Sequence, residues 1–328
     1  MQARQFATVF ALVAAAALQP AWGQGAAANY PSKPVQVVMP FPAGGPNDVE
    51  ARLYLPRLGD ALGKPFIIDI KPGAGGVIGT DFVAKAPPDG YTLLVGSSSL
   101  PVTAAMNKNL PYDTIKDLAP ITVMTKRTLL LIVHPELPVK SAAEYIEYVR
   151  KRPGEINFGT VGLGSSFHLA GAWLHNATNT KVTFVHFKGV AQVNPEIMAG
   201  RLQATFILPI VGLPLIKAGK VKPLAVASAD RLKIFPDLPA LAEQGVPGYD
   251  YAGWLGFLAP AKTPPVIINK LYAEFAKIAK QPDIIHKLVD QEGSVLAALN
   301  PEDSAKAIAK DVAVWNKVVA EAGIKAEE

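Results

Sequence analysis

The chain has 328 residues, half of them hydrophobic, with a net charge of +5 and no cysteine. The missing cysteines exclude a disulfide framework, a thiolate metal site, a cysteine nucleophile and an N-terminal lipid anchor, so a hydrophobic core must hold the fold. Lys and Arg are scattered and no aromatic residues interleave with a basic patch, which argues against nucleic acid as a partner and leaves a mild field that attracts small anions.

Arg4 is the only charge ahead of an apolar run from Phe6 to Leu18, and Ala21-Trp22-Gly23 places small residues where a signal peptidase reads. That run is shorter than the ~20 residues needed to span a bilayer. Residues 1–23 are therefore expected to be a signal peptide, with the mature chain starting near Gln24 and residing in a Gram-negative periplasm. Later on, the stretch from Ala204 to Ile216 is the most apolar, but Pro209 and Pro214 interrupt it. The remaining length favours two lobes over one.

Short apolar runs bounded by Gly and Pro alternate with helical patterns, the signature of α/β architecture with largely parallel sheets. The predicted strands are Val35–Met39, Phe66–Ile70, Thr92–Gly96, Leu129–His134, Asn157–Thr160, Val182–Phe187, Ala204–Leu208, Leu224–Ser228 and Leu255–Leu258. Asp48 to Leu62 reads as a helix with Pro56 inside it, which predicts a kink or break near Leu55. Ser141 with Glu144 makes a capping box, and Thr263-Pro264 and Asn300-Pro301 each place a cap before a proline at the first helical position. In the last helix, Ala305, Ile308, Val312, Trp315 and Val319 recur at helical spacing and are expected to face the core, with Gly323 ending it.

Three glycine-rich connections follow a strand and precede a helix: Pro40 to Asp48, Lys71 to Gly76, and Gly159 to Ser166. Glycine admits close approach to the backbone, and a helix start leaves N–H groups unpaired with the positive end of the dipole behind them. Such turns bind an anion without a charged side chain, although tight turning alone also explains glycines. The second loop lacks the dinucleotide spacing, since Gly79 falls one position late and Ile78 stands where glycine is needed. No G-x-S-x-G elbow and no compact histidine spacing occur, so neither a serine hydrolase nor a metal site is indicated. His168 stands just after the serine-rich loop and reads equally as structural or ligand-facing. Asp48 reads as a first-turn acid that favours the helix dipole or as a ligand-binding group, with the structural role preferred.

Several segments in order carry a resemblance. They are Tyr30-Pro31-Ser32-Lys33-Pro34, Pro40 to Gly45 with Asp48, Ala51 and Arg52, Pro72 to Gly76, and Pro88 to Leu93. Gly164-Ser165 with His168 to Gly171, Lys188-Gly189, Ile216 to Lys220 and Phe235 to Pro239 follow. Together these resemble the tripartite tricarboxylate transporter receptors, the Bug or TctC-type periplasmic binding proteins, over essentially the whole mature chain. The resemblance implies a two-lobed periplasmic binding protein fold, each lobe a mostly parallel sheet flanked by helices, closing over a carboxylate. It places lobe 1 at residues 24–126 plus 252–328 and lobe 2 at 127–251.

The expected ligand-binding set is Ala43, Gly44, Gly45, Asn47 and Asp48; Ser97, Ser98 and Ser99; Thr160, Gly164, Ser165, Ser166 and His168; and Lys188, Gly189 and Phe206. No cofactor and no metal are expected, and the partners implied are a small organic carboxylate and the permease subunits of a tripartite transporter, met by a monomer. Against the family pattern, Val193-Asn194 replaces a Pro-Ala pair, Ile207 replaces an aspartate and Ala172 replaces a glutamate. With Phe167, Phe187 and Phe206 nearby, these departures favour a flat or aliphatic acid over an amino acid. A ligand-sensing signalling subunit of the same fold, and a secreted hydrolase using Ser98 or Ser166, are the alternatives.

Overall fold

The computed structural model describes residues 29–161, 165–187, 190–251 and 253–321. The expected signal peptide and its cleavage site, and Gly323, lie outside the described residues. Two mixed sheets carry the fold. In the first, β1 (Val35–Met39) runs parallel to both β2 (Phe66–Ile70) and β3 (Thr92–Ser97). On the far side of β3, β10 (Gly253–Pro260) runs antiparallel to it and to β4 (Leu118–Arg127), and the two-residue β11 (Val295–Leu296) borders β4. The second sheet has the order β7-β6-β8-β5-β9, comprising β5 (Leu130–Val133), β6 (Asn157–Val161), β7 (Thr183–Phe187), β8 (Ala204–Ile207) and β9 (Lys222–Val226). Here β6 is parallel to β7 and β8, whereas β5 is antiparallel to β8 and β9.

The α/β class, the two-lobed architecture and the mostly parallel sheets hold: β1 to β4 share one direction in the first sheet and β6 to β9 in the second, and only β5, β10 and β11 among the described strands run against them. The reason is topological. The chain crosses between the lobes directly from β4 into β5 and returns as β10, and a strand entered from the other lobe has no crossover helix to force it parallel. The long β4 was missed because Pro120 and the terminal Lys126-Arg127 break its apolar run. Bulges opposite Leu255/Gly256 and Phe257/Leu258 absorb its irregular register.

Helices α1 (Pro46–Leu62), α2 (Val77–Ala84) and α3 (Ser99–Met106) follow the first three strands. Helices α4 (Ala142–Arg150), α5 (Ser166–Ala177), α6 (Val190–Met198) and α7 (Pro209–Lys217) belong to the second sheet. After β10 come α8 (Pro265–Ile278) and α9 (Pro301–Glu321). Helix α1 runs unbroken through Pro56, so the expected break does not occur. Pro56 sits on the exposed face, where water can serve the freed carbonyl, and the nearby Leu53 carbonyl accepts from the Arg57 guanidinium. Gly79 owes its identity to packing, since a Cβ there would meet the Lys71 carbonyl at 2.8 Å and Pro40 at 2.9 Å.

Each lobe has its own core. Tyr54, Phe257 and Phe275 anchor the first, while Phe158, Tyr145 and Tyr249 are packed into the second. Helix α9 spans both: Ile308 packs with Trp254 of the first lobe, and Trp315 and Val318 join the core of the second. Ala305 is exposed and Val312 and Val319 are only half-buried, so the buried stripe is narrower than expected and rests on Ser304, Ile308, Trp315 and Val318.

Candidate ligand-binding site

Between the sheets lies a cleft with two connected chambers. The inner one holds about 700 Å³ of space open to solvent and is lined from both lobes: Phe41, Asn47, Ser97, Ser98, Ser99 and Trp254 from one, Leu129, Ser166, Phe167 and Leu208 from the other. Tyr251 and Gly253 complete it on the returning strand. The outer one, about 770 Å³, is walled by Gly44, Val49, Pro209, Ile210, Val211, Glu292 and Ser294. Pro46, Arg127 and Leu208 line both.

The serines are set by backbone geometry. Strand β3 ends at Ser97, whose Oγ lies 2.8 Å from Ser99 Oγ at the first residue of α3. The Ser98 N–H donates to the Trp254 carbonyl at 3.1 Å, which ties this turn to β10. Tyr251 stands across the cleft, and its buried phenol interacts with both Ser166 and Ser98. Burial pushes that phenol's pKa up, the two serine hydrogen bonds opposing it. A phenol so shifted is a poor base near neutrality, and neither serine thereby gains a proton acceptor for nucleophilic attack.

In the first glycine loop the structural reading of Asp48 prevails. Its carboxylate accepts the Gly44 N–H at 2.8 Å and pairs with Arg52 at 2.9 Å, which folds the loop around the start of α1. The hydrogen bond from Arg52 is the main reason its pKa falls below the usual carboxylate value. Gly44 adopts φ +77, a left-handed conformation that favours glycine, and borders the outer chamber, while Asn47 faces the inner one. Gly45 caps α1 in extended conformation, and Ala43 is exposed beside it.

On the second lobe, Ser165 caps α5, its Oγ accepting the His168 N–H at 3.2 Å, so its hydroxyl serves the helix. His168 is buried behind the wall, its ring edge-on to Phe184 at 4.9 Å and to His186 at 4.8 Å. Burial, followed by the charge of His186, pushes its pKa down to about 4, so the imidazole is neutral at physiological pH. Thr160 lies in the same seam, with Oγ1 2.6 Å from His186 Nδ1. Phe206, expected at the ligand, instead packs into the core against Phe158 at 5.7 Å and Tyr249 at 6.4 Å. Strand β8 is buried on both faces, so an apolar side chain on it has no solvent-facing side to occupy. Gly164, Lys188 and Gly189 lie outside the described residues.

Sequence reasoning missed the residues that the crossing strands bring in: Arg127, Tyr251 and Trp254. Arg127 closes β4 and pairs with the buried Glu50 of α1, whose other oxygen accepts from Thr125. Burial pushes the guanidinium's pKa down, with the charge of Glu292 opposing.

Against known proteins, residues 51–324 match the model of the tripartite tricarboxylate transporter family receptor. The chain is 33% identical over 299 residues to Protein BugT of Bordetella pertussis, covering 90% of this chain and 91% of that one. Among solved structures, R. palustris Rpa4515 with adipate is 35% identical with a TM-score of 0.76, covering 90% of this chain and 99% of that one. MatC from Rhodopseudomonas palustris with bound malate is 30% identical with a TM-score of 0.72, covering 88% and 100%.

Proposed function

This chain belongs to the tripartite tricarboxylate transporter receptor family, and on that premise we propose that it is exported to the periplasm, captures a small organic carboxylate in its cleft and presents it to the family's membrane permease. The observation that carries this reading is the inner chamber's lining. Its described residues offer the hydroxyls of Ser97, Ser98, Ser99, Ser166 and Tyr251, the Asn47 amide and the Arg127 guanidinium, and include neither Asp nor Glu. Donors without a competing carboxylate favour an ionised acid, because charge-assisted hydrogen bonds are the stronger class. Phe167, Trp254, Leu129 and Leu208 give the acid an aliphatic or aromatic body to rest on. The two similar structures named above hold adipate and malate, which supports an acid as cargo.

The ligand joins donors from both lobes, so it favours the closed population of a hinge at Thr128-Leu129 and at the return before β10. The protein works as a monomer, and the lobes divide at residues 127 and 252. Trp254 provides the test. Titration with a panel of aliphatic and aromatic acids should change tryptophan emission, and Trp254→Phe should remove the change while thermal stabilisation persists. A panel in which no acid alters emission or melting temperature sinks the proposal.

A further inference from the structure

We propose that Asp311 of α9, which does not line the ligand chamber, is a positioning residue for binding: it holds the Trp254 indole in place as a wall of that chamber, so that affinity depends on a side chain outside the cleft. This rests on the receptor reading and adds to it.

Trp254 has open space on two sides. It lines the inner chamber in front and, behind, a further cavity of about 710 Å³ that is itself open to solvent. Asp311 lines the rear cavity and not the chamber. The indole is buried, and Ile308 of α9 shares its apolar cluster. Its benzo edge rests against β3, where a Cβ on Gly96 would stand 3.4 Å from Cζ3. The pyrrole edge is held by one side-chain hydrogen bond among the described residues, from Nε1 to Asp311 Oδ2 at 2.9 Å. An indole has one donor and no acceptor, so this bond fixes the ring orientation that packing between two cavities leaves free.

The other carboxylate of the rear cavity is engaged elsewhere. Asp250 accepts the Ala229 N–H at 3.0 Å and lies 4.0 Å from Lys310. Lys126 of β4 and Lys310 favour the charged form of Asp311, and a charged acceptor makes the stronger bond. Helix α9 also supports the neighbouring chamber residue, since Trp315 packs edge-on to Tyr251 with ring centroids 6.0 Å apart. The Trp254 carbonyl in turn accepts the Ser98 N–H at 3.1 Å, so the residue that Asp311 holds is tied to the serine turn. Without its acceptor, the buried N–H must find another partner. The nearest solvent is in the chamber, and an indole that turns toward it enters the space of the ligand.

The test is a double-mutant cycle read by calorimetric titration of the mature protein with adipate, malate, hexanoate and benzoate, the acid that the wild type binds best serving as probe. Asp311→Ala should weaken binding of that acid roughly 3–10-fold, the range of one hydrogen bond, and shift tryptophan emission to the red. Asp311→Asn keeps an acceptor for the indole and should stay within about 2-fold of the wild type. In the Trp254→Phe background, which has no N–H to hold, Asp311→Ala should change affinity by less than about 2-fold. Equal losses in the two backgrounds would mark a general structural role and overturn the proposal, as would unchanged affinity in Asp311→Ala. Nitrogen-15 labelling of tryptophan covers the case in which the alanine variant does not fold. The Trp254 indole N–H resonance, assigned through Trp254→Phe, should move in Asp311→Asn and move again on saturation with the acid. A resonance indifferent to either change, in a protein that binds the acid, overturns the role of Asp311 and leaves the receptor reading intact. Binding of none of the acids by the wild type overturns both.

Discussion

On the wall built from α1, β3 and β4, the Arg127 guanidinium, the Ser97–Ser99 hydroxyl pair and the Asn47 amide face the cleft, and Arg127 is paired with Glu50, which is buried beneath it. The opposing wall, from β8, α5 and α7, offers Phe167, Leu208, Pro209, Ile210 and Val211, with Ser166 its polar contribution to the inner chamber. Behind it sit His168 and His175, whose pKa values burial pushes down to about 4 and about 3, so they add no charge near neutrality. One wall holds fixed charge and the other holds shape. Fixed charge is costly to bury unless every member is partnered, which explains why the first wall is the more cross-linked.

The sharpest way to break this contrast is to remove one member of the pair. Glu50→Leu leaves Arg127 buried without its counter-charge and should destabilise the fold by about 3–5 kcal/mol. Ser166→Ala on the other wall should change stability by less than about 1 kcal/mol. Urea unfolding of the two variants checks both, and equal effects would mean that the walls do not differ as described.

Acid separates the lobes next. The folded-state pKa values of His168 and His175 lie below the unfolded value of 6.5, so the unfolded chain takes up protons first as pH falls. The stability contributed by these neutral rings is complete above about pH 6.5 and is lost on acidification, toward pH 4 for His168 and pH 3 for His175. The loss should be on the order of 2 kcal/mol per histidine between pH 6.5 and pH 5. His175→Gln should flatten about half of that slope in unfolding midpoints measured against pH. An unchanged slope would place the acid sensitivity elsewhere.

Asp311 of α9 titrates in the opposite sense. Burial raises its pKa from 3.8 to about 6, opposed by the hydrogen bond from Trp254 Nε1 at 2.9 Å. The native state therefore binds this proton more tightly than the unfolded chain does. Stability is highest below about pH 4 with respect to this group and declines as pH rises to about 6, by roughly 2 kcal/mol. Asp311→Asn keeps an acceptor for Trp254 and should abolish that component, giving a variant at least as stable as the parent at pH 7. A variant that is markedly less stable there would show that the charge itself is needed.

The smallest effect belongs to the apolar wall. Phe167→Ala should weaken every acid by about 1–2 kcal/mol, the scale of one partly buried ring. Unchanged affinity across the panel of acids would mean that Phe167 does not touch the ligand.

Much of this was legible in the chain. Val35–Met39 and Phe66–Ile70 are strands at the predicted boundaries, because five-residue apolar runs between glycine and proline signals have few other readings. Ser141 caps α4, with its Oγ accepting the Glu144 N–H at 3.1 Å, and Asn300 accepts from Asp303 at 2.8 Å, since caps are local chemistry. Asn47, Ser97 to Ser99 and Ser166 fall on the inner chamber because strand–turn–helix loops point to the carboxyl ends of strands. Arg127, Tyr251 and Trp254 were not legible as site residues, because they meet the serines only through the two crossing segments, far away in sequence. Phe206 was misplaced for the converse reason: its neighbours in sequence approach the cleft, but its strand is covered on both faces.

Recognition in the cleft requires an ionised carboxylate held by donors from both lobes, and the direct measurement compares an acid with its own amide in thermal unfolding. At about 100 times its dissociation constant, the best acid should stabilise the mature protein by roughly 2.7 kcal/mol. That corresponds to a rise in melting temperature on the order of 5–10 °C for a chain of this size. The corresponding carboxamide at the same concentration should give little or no shift, because it lacks two anionic acceptor oxygens. A full shift with the amide, or stabilisation by amino acids alone, would contradict the reading of the cleft as a carboxylate site.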